Sequence, residues 1–153
     1  MEMPLAEVAE LERRIRSIED ELALGRLINT YHKTADAFDW RGWSECFSEN
    51  AIFVNQFGPH HGRKEIRELC AKRFGKAFKV FQHIIVNLLF QVSGDSATGS
   101  GNLIFVGMRD ENKKSNYFLG GGRYEWQFIR TAEGWKIEHG DLTFLWDNTS
   151  SSS

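Results

Sequence analysis

The stretch FKVFQHIIVN, residues 78–87, puts a histidine and an asparagine among apolar residues. Because strand side chains alternate between two faces, Phe81, His83, Ile85 and Asn87 are predicted to share one face. An imidazole on such a face either forms a hydrogen bond inside the core or lines a cavity, where it can take up a proton near neutral pH. Periodicity alone leaves both interpretations open.

Further polar candidates interrupt apolar patterns elsewhere in the chain. Tyr31 lies within the apolar stripe of the first helical segment, a stripe about 100° wide on the helical wheel. Asp36 ends that segment about 120° from the centre of the stripe, a position that usually faces solvent. Asn102 and His139 fall within apolar strand patterns.

Two kinds of periodicity divide the chain and position these residues. The first predicts helices over 6–37, 41–47 and 63–75, with AIFVNQF as a strand and FGPHHG as a turn before the third helix. From Phe78 to about residue 146 the pattern alternates, and polar or Gly-bearing turns separate the strands. Helices followed by a sheet predict an α+β fold with helices on one face of a curved sheet.

The last predicted strand changes phase around HGD, residues 139–141. Its apolar side chains occupy odd positions at Trp135 and Ile137 and even positions from Leu142 onward. A bulge near Gly140 is predicted, since one extra residue reverses the alternation, and bulges often lie beside active sites. A bend without a chemical role is the alternative.

Composition indicates one folded domain. The 153 residues are 41% hydrophobic and 26% charged, with a net charge of −2, so a core is expected and a basic nucleic-acid-binding surface is not. The high aromatic content suits either an aromatic-lined pocket or a Phe-rich core. We predict a single domain over residues 1–148 and a disordered low-complexity tail over 149–153.

Metal, disulfide and membrane signals are weak. Cys46 and Cys70 have neither zinc-site nor disulfide-framework spacing, and the adjacent His60 and His61 point apart on a turn, so no metal site is predicted. No apolar run approaches the ~20 residues that span a bilayer. We expect a cytoplasmic protein with reduced cysteines.

The order of four segments resembles the SnoaL-like group of the NTF2-like superfamily. These segments are YHKTADAFDWRGWSECFSENAIF, GRKEI, QHIIVN and GRYEWQFIRTAEGWKI, and the resemblance extends from about Ile18 to Trp146. It implies an α+β cone, in which a curved antiparallel or mixed sheet wraps around N-terminal helices and leaves a pocket at its open end. It also implies cofactor-independent chemistry, as in scytalone dehydratase, gamma-hexachlorocyclohexane dehydrochlorinase and bile-acid 7-alpha-dehydratase.

The resemblance implies catalytic roles for three residues. Those enzymes place an aspartate at the end of the first long helix beside a histidine of a central strand, and Asp36 and His83 match these positions. Tyr31 matches a polar pocket residue. In such a pair the carboxylate fixes the imidazole tautomer while the other ring nitrogen removes a proton from the substrate. Tyr31 is predicted to stabilise the charge that develops.

Substrate contacts are predicted for Asn102, His139 and Phe57. Several relatives carry a further His or Asp on the strand where this chain offers Asn102. Some relatives have an Arg in the last strand, where this chain has EHGD and His139 could substitute without a fixed charge.

The sequence thus predicts a cofactor-independent lyase of dehydratase type, or an isomerase, acting on a hydrophobic cyclic or aromatic small molecule. The predicted partners are that molecule and further copies of the chain, as a dimer or trimer. The alternative is a non-catalytic ligand-binding or dimerisation module, or the small subunit of a ring-hydroxylating dioxygenase.

Overall fold

A computed structural model describes residues 3–113 and 115–149. Most of the predicted tail therefore lies outside the described residues. The described chain runs in the order α1 Leu5–Asp36, α2 Trp40–Glu45, β1 Phe47–Asn55, β2 Gly58–His61, α3 Gly62–Ala77, β3 Val80–Ser93, β4 Ser96–Met108, β5 Tyr117–Thr131 and β6 Gly134–Asp147.

The strands form one mixed sheet in the order β2-β1-β6-β5-β4-β3. β1 pairs with β6 in parallel, and the other neighbouring strands are antiparallel. The sheet is curved and does not close. Helix α1 packs on β3 and β6, and α3 packs on β1 and β2. The predicted α+β cone with a mixed sheet is confirmed.

The predicted helix bounds differ from the observed ones by one or two residues. The turn predicted over FGPHHG is wrong in part, because Gly58–His61 forms edge strand β2, antiparallel to β1. Pro59 has no N–H, which an edge strand tolerates because its outer side has no partner strand. β1 also begins at Phe47, earlier than the predicted Ala51.

Helix α1 carries apolar stripes on two opposite faces. Leu24, Ile28 and Tyr31 are buried in the core. A second stripe, about 160° away on the helical wheel, is 40% to 59% exposed and consists of Leu11, Ile15, Ile18 and Leu22. The sequence analysis identified only the core-facing stripe.

The bulge predicted in the last strand is confirmed. Gln127 pairs with His139 and Phe128 pairs with Ile137, so Glu138 is the extra residue of β6. Ile137 and Gly140 are therefore both buried, although three positions separate them.

Strand β3 contains a bulge that the sequence analysis missed. Asn87 and Leu88 together oppose Gly101, and Asn87 has a φ of 57°, in the left-handed region. The alternation holds from Phe81 to Ile85 and then breaks, so Asn87 is exposed and Leu88 is half-buried. The prediction that Asn87 shares the face of His83 is wrong, because one extra residue reverses the phase.

A half-buried ion pair ties α1 to the sheet. The two carboxylate oxygens of Asp20 each accept a hydrogen bond of 2.8 Å from Arg130, and the indole of Trp135 donates a third at 3.1 Å. Arg130 also donates to Asp95 at 3.0 Å. The hydrogen bonds from Arg130 hold the pKa of Asp20 below its usual range, against the opposing effect of burial.

We expect Asp20→Asn to lower the free energy of unfolding by about 1–2 kcal/mol, because the half-buried guanidinium loses one of its two carboxylate partners. Since the folded-state pKa of Asp20 is lowered, its stabilisation is present above the unfolded-state pKa and is lost as the pH falls. Urea unfolding at pH 7 and pH 4 measures both effects, and the variant should lose less stability between them. The exposed pair of Glu10 and Arg13 offers a control, because Glu10→Gln should change stability little. Equal stability of Asp20→Asn and wild type would contradict the prediction.

Candidate active site

His83 and Asp36 form a hydrogen-bonded pair between β3 and the end of α1. His83 Nδ1 lies 2.6 Å from Asp36 Oδ1, and the backbone N–H of His83 donates to both carboxylate oxygens at 3.1 Å. Asp36 is the last residue of α1, where the carbonyl end of the helix disfavours negative charge. The backbone N–H and the ring N–H of His83 stabilise the negative charge of Asp36 at this position. The predicted contact between the two residues is present.

This contact assigns the two ring nitrogens of His83. An ionised carboxylate only accepts hydrogen bonds, so Nδ1 carries the proton and Nε2 keeps its lone pair. Nε2 is therefore the ring nitrogen that can accept a proton. The side chains of His83 and Asp36 are 12% and 26% exposed.

His83 lines an apolar cavity between the helices and the sheet. Its aromatic lining includes Trp40, Trp43, Phe53, Phe74, Phe81 and Phe105. The space between atoms is about 450 Å³ with the mouth included, but the centre of a water molecule can move through only about 30 Å³ of it. The cavity is thus narrow, and its lining suits a small apolar molecule.

Polar side chains are few in this cavity. The lining residues with polar side-chain groups are His83, Tyr31, Tyr124 and Asn55. Asp36 lies outside it, in a surface groove that it shares with one edge of His83. Tyr31 and His83 therefore meet at one cavity as predicted, whereas Asp36 reaches that cavity only through His83.

A SnoaL-like domain model matches residues 16–141, most of the chain. The chain belongs to the SnoaL-like family. No protein of curated function gives a significant sequence match.

Solved structures share the fold of this SnoaL-like domain. An NTF2-like protein with a cystatin-like fold from Novosphingobium aromaticivorans is 22% identical, with a TM-score of 0.82, over 97% of this chain and 95% of its own. A candidate aromatic ring hydroxylase from the same organism is 27% identical, with a TM-score of 0.74, over 84% and 91%. A type 2 hexachlorocyclohexane dehydrochlorinase is 15% identical, with a TM-score of 0.80, over 92% and 95%.

Three predicted substrate contacts lie away from the cavity of this SnoaL-like domain. Asn102 is next to the buried Leu103 on β4 and so projects from the other face of the sheet. His139 pairs with the exposed Gln127, on the outer face beside the bulge. Phe57 is 43% exposed, with the Arg73 guanidinium 3.9 Å from its ring centroid. None of the three is among the residues that line the cavity.

Three polar residues near the site were missed by the sequence analysis. Asn55 follows Ala51 and Phe53 in strand phase, so the reasoning applied to His83 could have identified it. Tyr124 alternates with Trp126 in the same way. His32 lies beside the apolar stripe of α1, and its position on the flank of that stripe gives no distinct signal.

His32 is buried next to His83 in this SnoaL-like domain. Its ring centroid lies 5.3 Å from that of His83 and 4.7 Å from that of Tyr31, and Nδ1 donates to the Ile28 carbonyl at 2.9 Å. Burial, together with the charge that His83 gains on protonation, lowers the pKa of His32 to about 3. His32 is therefore neutral at ordinary pH and adds no positive charge beside His83.

This lowered pKa predicts a pH dependence of stability. Below the unfolded-state pKa of about 6.5, His32 takes up a proton in the unfolded chain but not in the folded one, so stability falls by up to about 1.4 kcal/mol per pH unit from this group. His32→Asn keeps a donor for Ile28 without the titration, and its stability should fall less between pH 7 and pH 5 in urea unfolding. His61→Asn, at an exposed position, is the control. Parallel pH profiles of wild type and His32→Asn would exclude the effect.

Among residues 3–113 and 115–149, no group of three His, Cys, Asp or Glu side chains could hold a metal ion. None of the described helices is long and apolar enough to cross a membrane.

Proposed function

We propose that this protein removes a proton from a small hydrophobic ring compound, with His83 as the base. It would thus act as a cofactor-independent lyase of dehydratase type or as an isomerase. One observation carries the proposal: Asp36 binds Nδ1 of His83, while the same imidazole lines a narrow aromatic cavity.

The chemistry follows from this geometry. Nε2 accepts a proton from a carbon next to a carbonyl, and the electron pair of the broken C–H bond forms an enolate. The Asp36 carboxylate stabilises the imidazolium that results. In a dehydration the enolate expels a hydroxyl group on the next carbon, which takes up the proton and leaves as water. In an isomerisation the proton returns to another carbon.

The apolar lining supports this step in two ways. A cavity with little water strengthens the attraction between imidazolium, carboxylate and enolate. Tyr31 and Tyr124 bring hydroxyl groups to the same lining, and a phenol can stabilise an enolate or a departing hydroxyl.

Proton exchange tests the proposal without knowledge of the natural substrate. Hydroxylated cyclic ketones are incubated with the protein in D2O, and proton NMR follows the loss of the signal next to the carbonyl and the appearance of alkene signals. We expect exchange or elimination with wild type at rates well above those with His83→Ala. Equal rates with both proteins, for every compound, would refute the role of His83 as the base.

A second candidate is the small subunit of a ring-hydroxylating dioxygenase. The 27% identity to a candidate aromatic ring hydroxylase favours it, as does the small free volume of the cavity. In that case the Asp36–His83 pair would be structural, and both His83→Ala and wild type would be inactive in the exchange assay. Binding of the chain to an iron–sulfur large subunit encoded by a neighbouring gene would identify this function.

We also propose that the chain forms a homo-oligomer through the second stripe of α1. This stripe exposes four large aliphatic side chains on the side of the helix that faces away from the core. A second copy of the chain provides an equivalent apolar surface, and their contact removes both from water.

The Ile15→Glu, Ile18→Glu double variant is expected to lower the oligomeric state, because it places charges within the apolar contact. Sedimentation velocity should show a dimer or trimer for wild type and a monomer for the variant. Ala6→Glu, on the other side of the helix, should leave the oligomer intact. A wild-type monomer, or a variant that sediments as wild type does, would contradict the prediction.

A further inference from the structure

Beside the cavity is a hydrogen-bond donor that the pair of Asp36 and His83 does not use. In the described part of the chain, three buried side-chain atoms have no hydrogen-bond partner: His32 Nε2, Asn55 Nδ2 and Trp126 Nε1. Of these three residues, only Asn55 lines the cavity. It is the last residue of β1 and is 7% exposed.

The orientation of the Asn55 amide is fixed by its neighbours. The backbone N–H of Phe57 lies 2.9 Å from one terminal atom of the amide. A backbone N–H can only donate, so that atom is the oxygen and the other is the NH2 group. His60 Nε2 lies 3.3 Å from the same oxygen and supports it from the buried side. The oxygen is therefore occupied, and both hydrogens of Nδ2 are unused.

An unused donor in a buried position destabilises the fold unless something accepts its hydrogen bonds. No group in the described part of the protein does so, and the rest of the cavity wall is mostly carbon. The missing acceptor is thus expected to arrive with the ligand.

We propose that Asn55 Nδ2 donates a hydrogen bond to a carbonyl oxygen of the substrate, and so selects cyclic ketones over hydrocarbons of the same shape. This inference rests on the proposed function, because the same carbonyl acidifies the C–H bond that His83 attacks. As the proton leaves, negative charge grows on that oxygen, and the hydrogen bond from Asn55 strengthens. Asn55 then contributes to both binding and rate.

Two probes of nearly equal shape test the donor, 2-indanone and indane, which differ by the carbonyl oxygen. Titrations followed by ¹⁵N NMR give an affinity for each. We expect wild type to prefer 2-indanone by about tenfold, since the ketone pairs a buried donor that indane leaves unpaired. The assigned side-chain NH2 signals of Asn55 should move with 2-indanone and much less with indane.

Asn55→Asp is the decisive variant. It keeps an oxygen for Phe57 and His60 and replaces the unused NH2 donor with a charged carboxylate oxygen, which can only accept. The preference for 2-indanone should disappear or reverse. Asn102→Asp makes the same chemical change on the outer sheet face and should keep the wild-type preference. If Asn55→Asp does not fold, the shifts of the Asn55 NH2 signals in wild type still show whether this group contacts the ketone.

The outcomes separate this inference from the proposed function. Equal affinity of wild type for both probes, or unmoved Asn55 NH2 signals, overturns the donor role and leaves the base intact. If the ketone preference depends on Asn55 but no proton exchange is seen, the donor role of Asn55 is supported and the proposed proton abstraction by His83 is refuted. Failure of both probes to bind wild type overturns the apolar ligand site itself.

Discussion

His83→Ala is expected to lower turnover by about 10²–10⁴-fold, the usual contribution of a positioned acid–base group, while the fold stays close to wild type. The structure explains why stability should survive. The backbone N–H of residue 83 still donates to both oxygens of Asp36, so the carboxylate keeps a partner after the ring is removed. The ring also borders a cavity, so its loss enlarges existing space instead of opening a new void in a packed core.

A histidine that served only the core would give the opposite result. Its removal would lower the free energy of unfolding by about 1–3 kcal/mol through lost hydrogen bonds and packing, with unchanged activity per folded molecule. Thermal unfolding and turnover measured on the same samples distinguish the two cases. His139→Ala, on the outer sheet face, is the matched control and should change neither quantity much. Unaltered turnover in a stable His83→Ala protein would leave only the binding-module function.

Asp36→Asn is expected to lower turnover by about 10²–10⁴-fold while substrate affinity stays near wild type. Asparagine has almost the same shape, and its oxygen can still accept from the backbone of His83. However, it carries no charge to stabilise the imidazolium, and an amide NH2 facing Nδ1 favours the tautomer with the proton on Nε2. The base would then carry a proton on the nitrogen that must accept one.

Measurement of kcat and of ligand affinity on the same protein tests this separation. Asp39→Asn provides a matched control three residues further on. Asp39 caps α2 by accepting from the backbone N–H of Gly42, and asparagine caps helices about as well. It should therefore leave both quantities unchanged. A comparable fall in turnover in the two variants would indicate a general disturbance of the helix junction and would contradict a specific role of Asp36.

The pair of Asp36 and His83 shows how far local sequence reasoning extends. Periodicity placed His83 on the same strand face as Phe81 and Ile85, which is correct because a strand repeats every two residues. The helical wheel placed Asp36 away from the core stripe, and the structure agrees, since the side chain is 26% exposed and lies outside the cavity. Their contact was predicted only through the family resemblance, because a separation of 47 residues lies beyond any local pattern.

By itself the sequence determined the helices to within two residues at each end, the change of periodicity near Phe78 and a bulge near Gly140. Each of these follows from spacing among near neighbours. The tertiary structure alone decided the parallel pairing of β1 with β6, the edge strand β2 and the bulge at Asn87. These features depend on which distant backbone groups meet. The same is true of the candidate site, where an aspartate at a helix end and a histidine in a strand acquire their chemistry only when packing of α1 on β3 brings them within hydrogen-bonding distance.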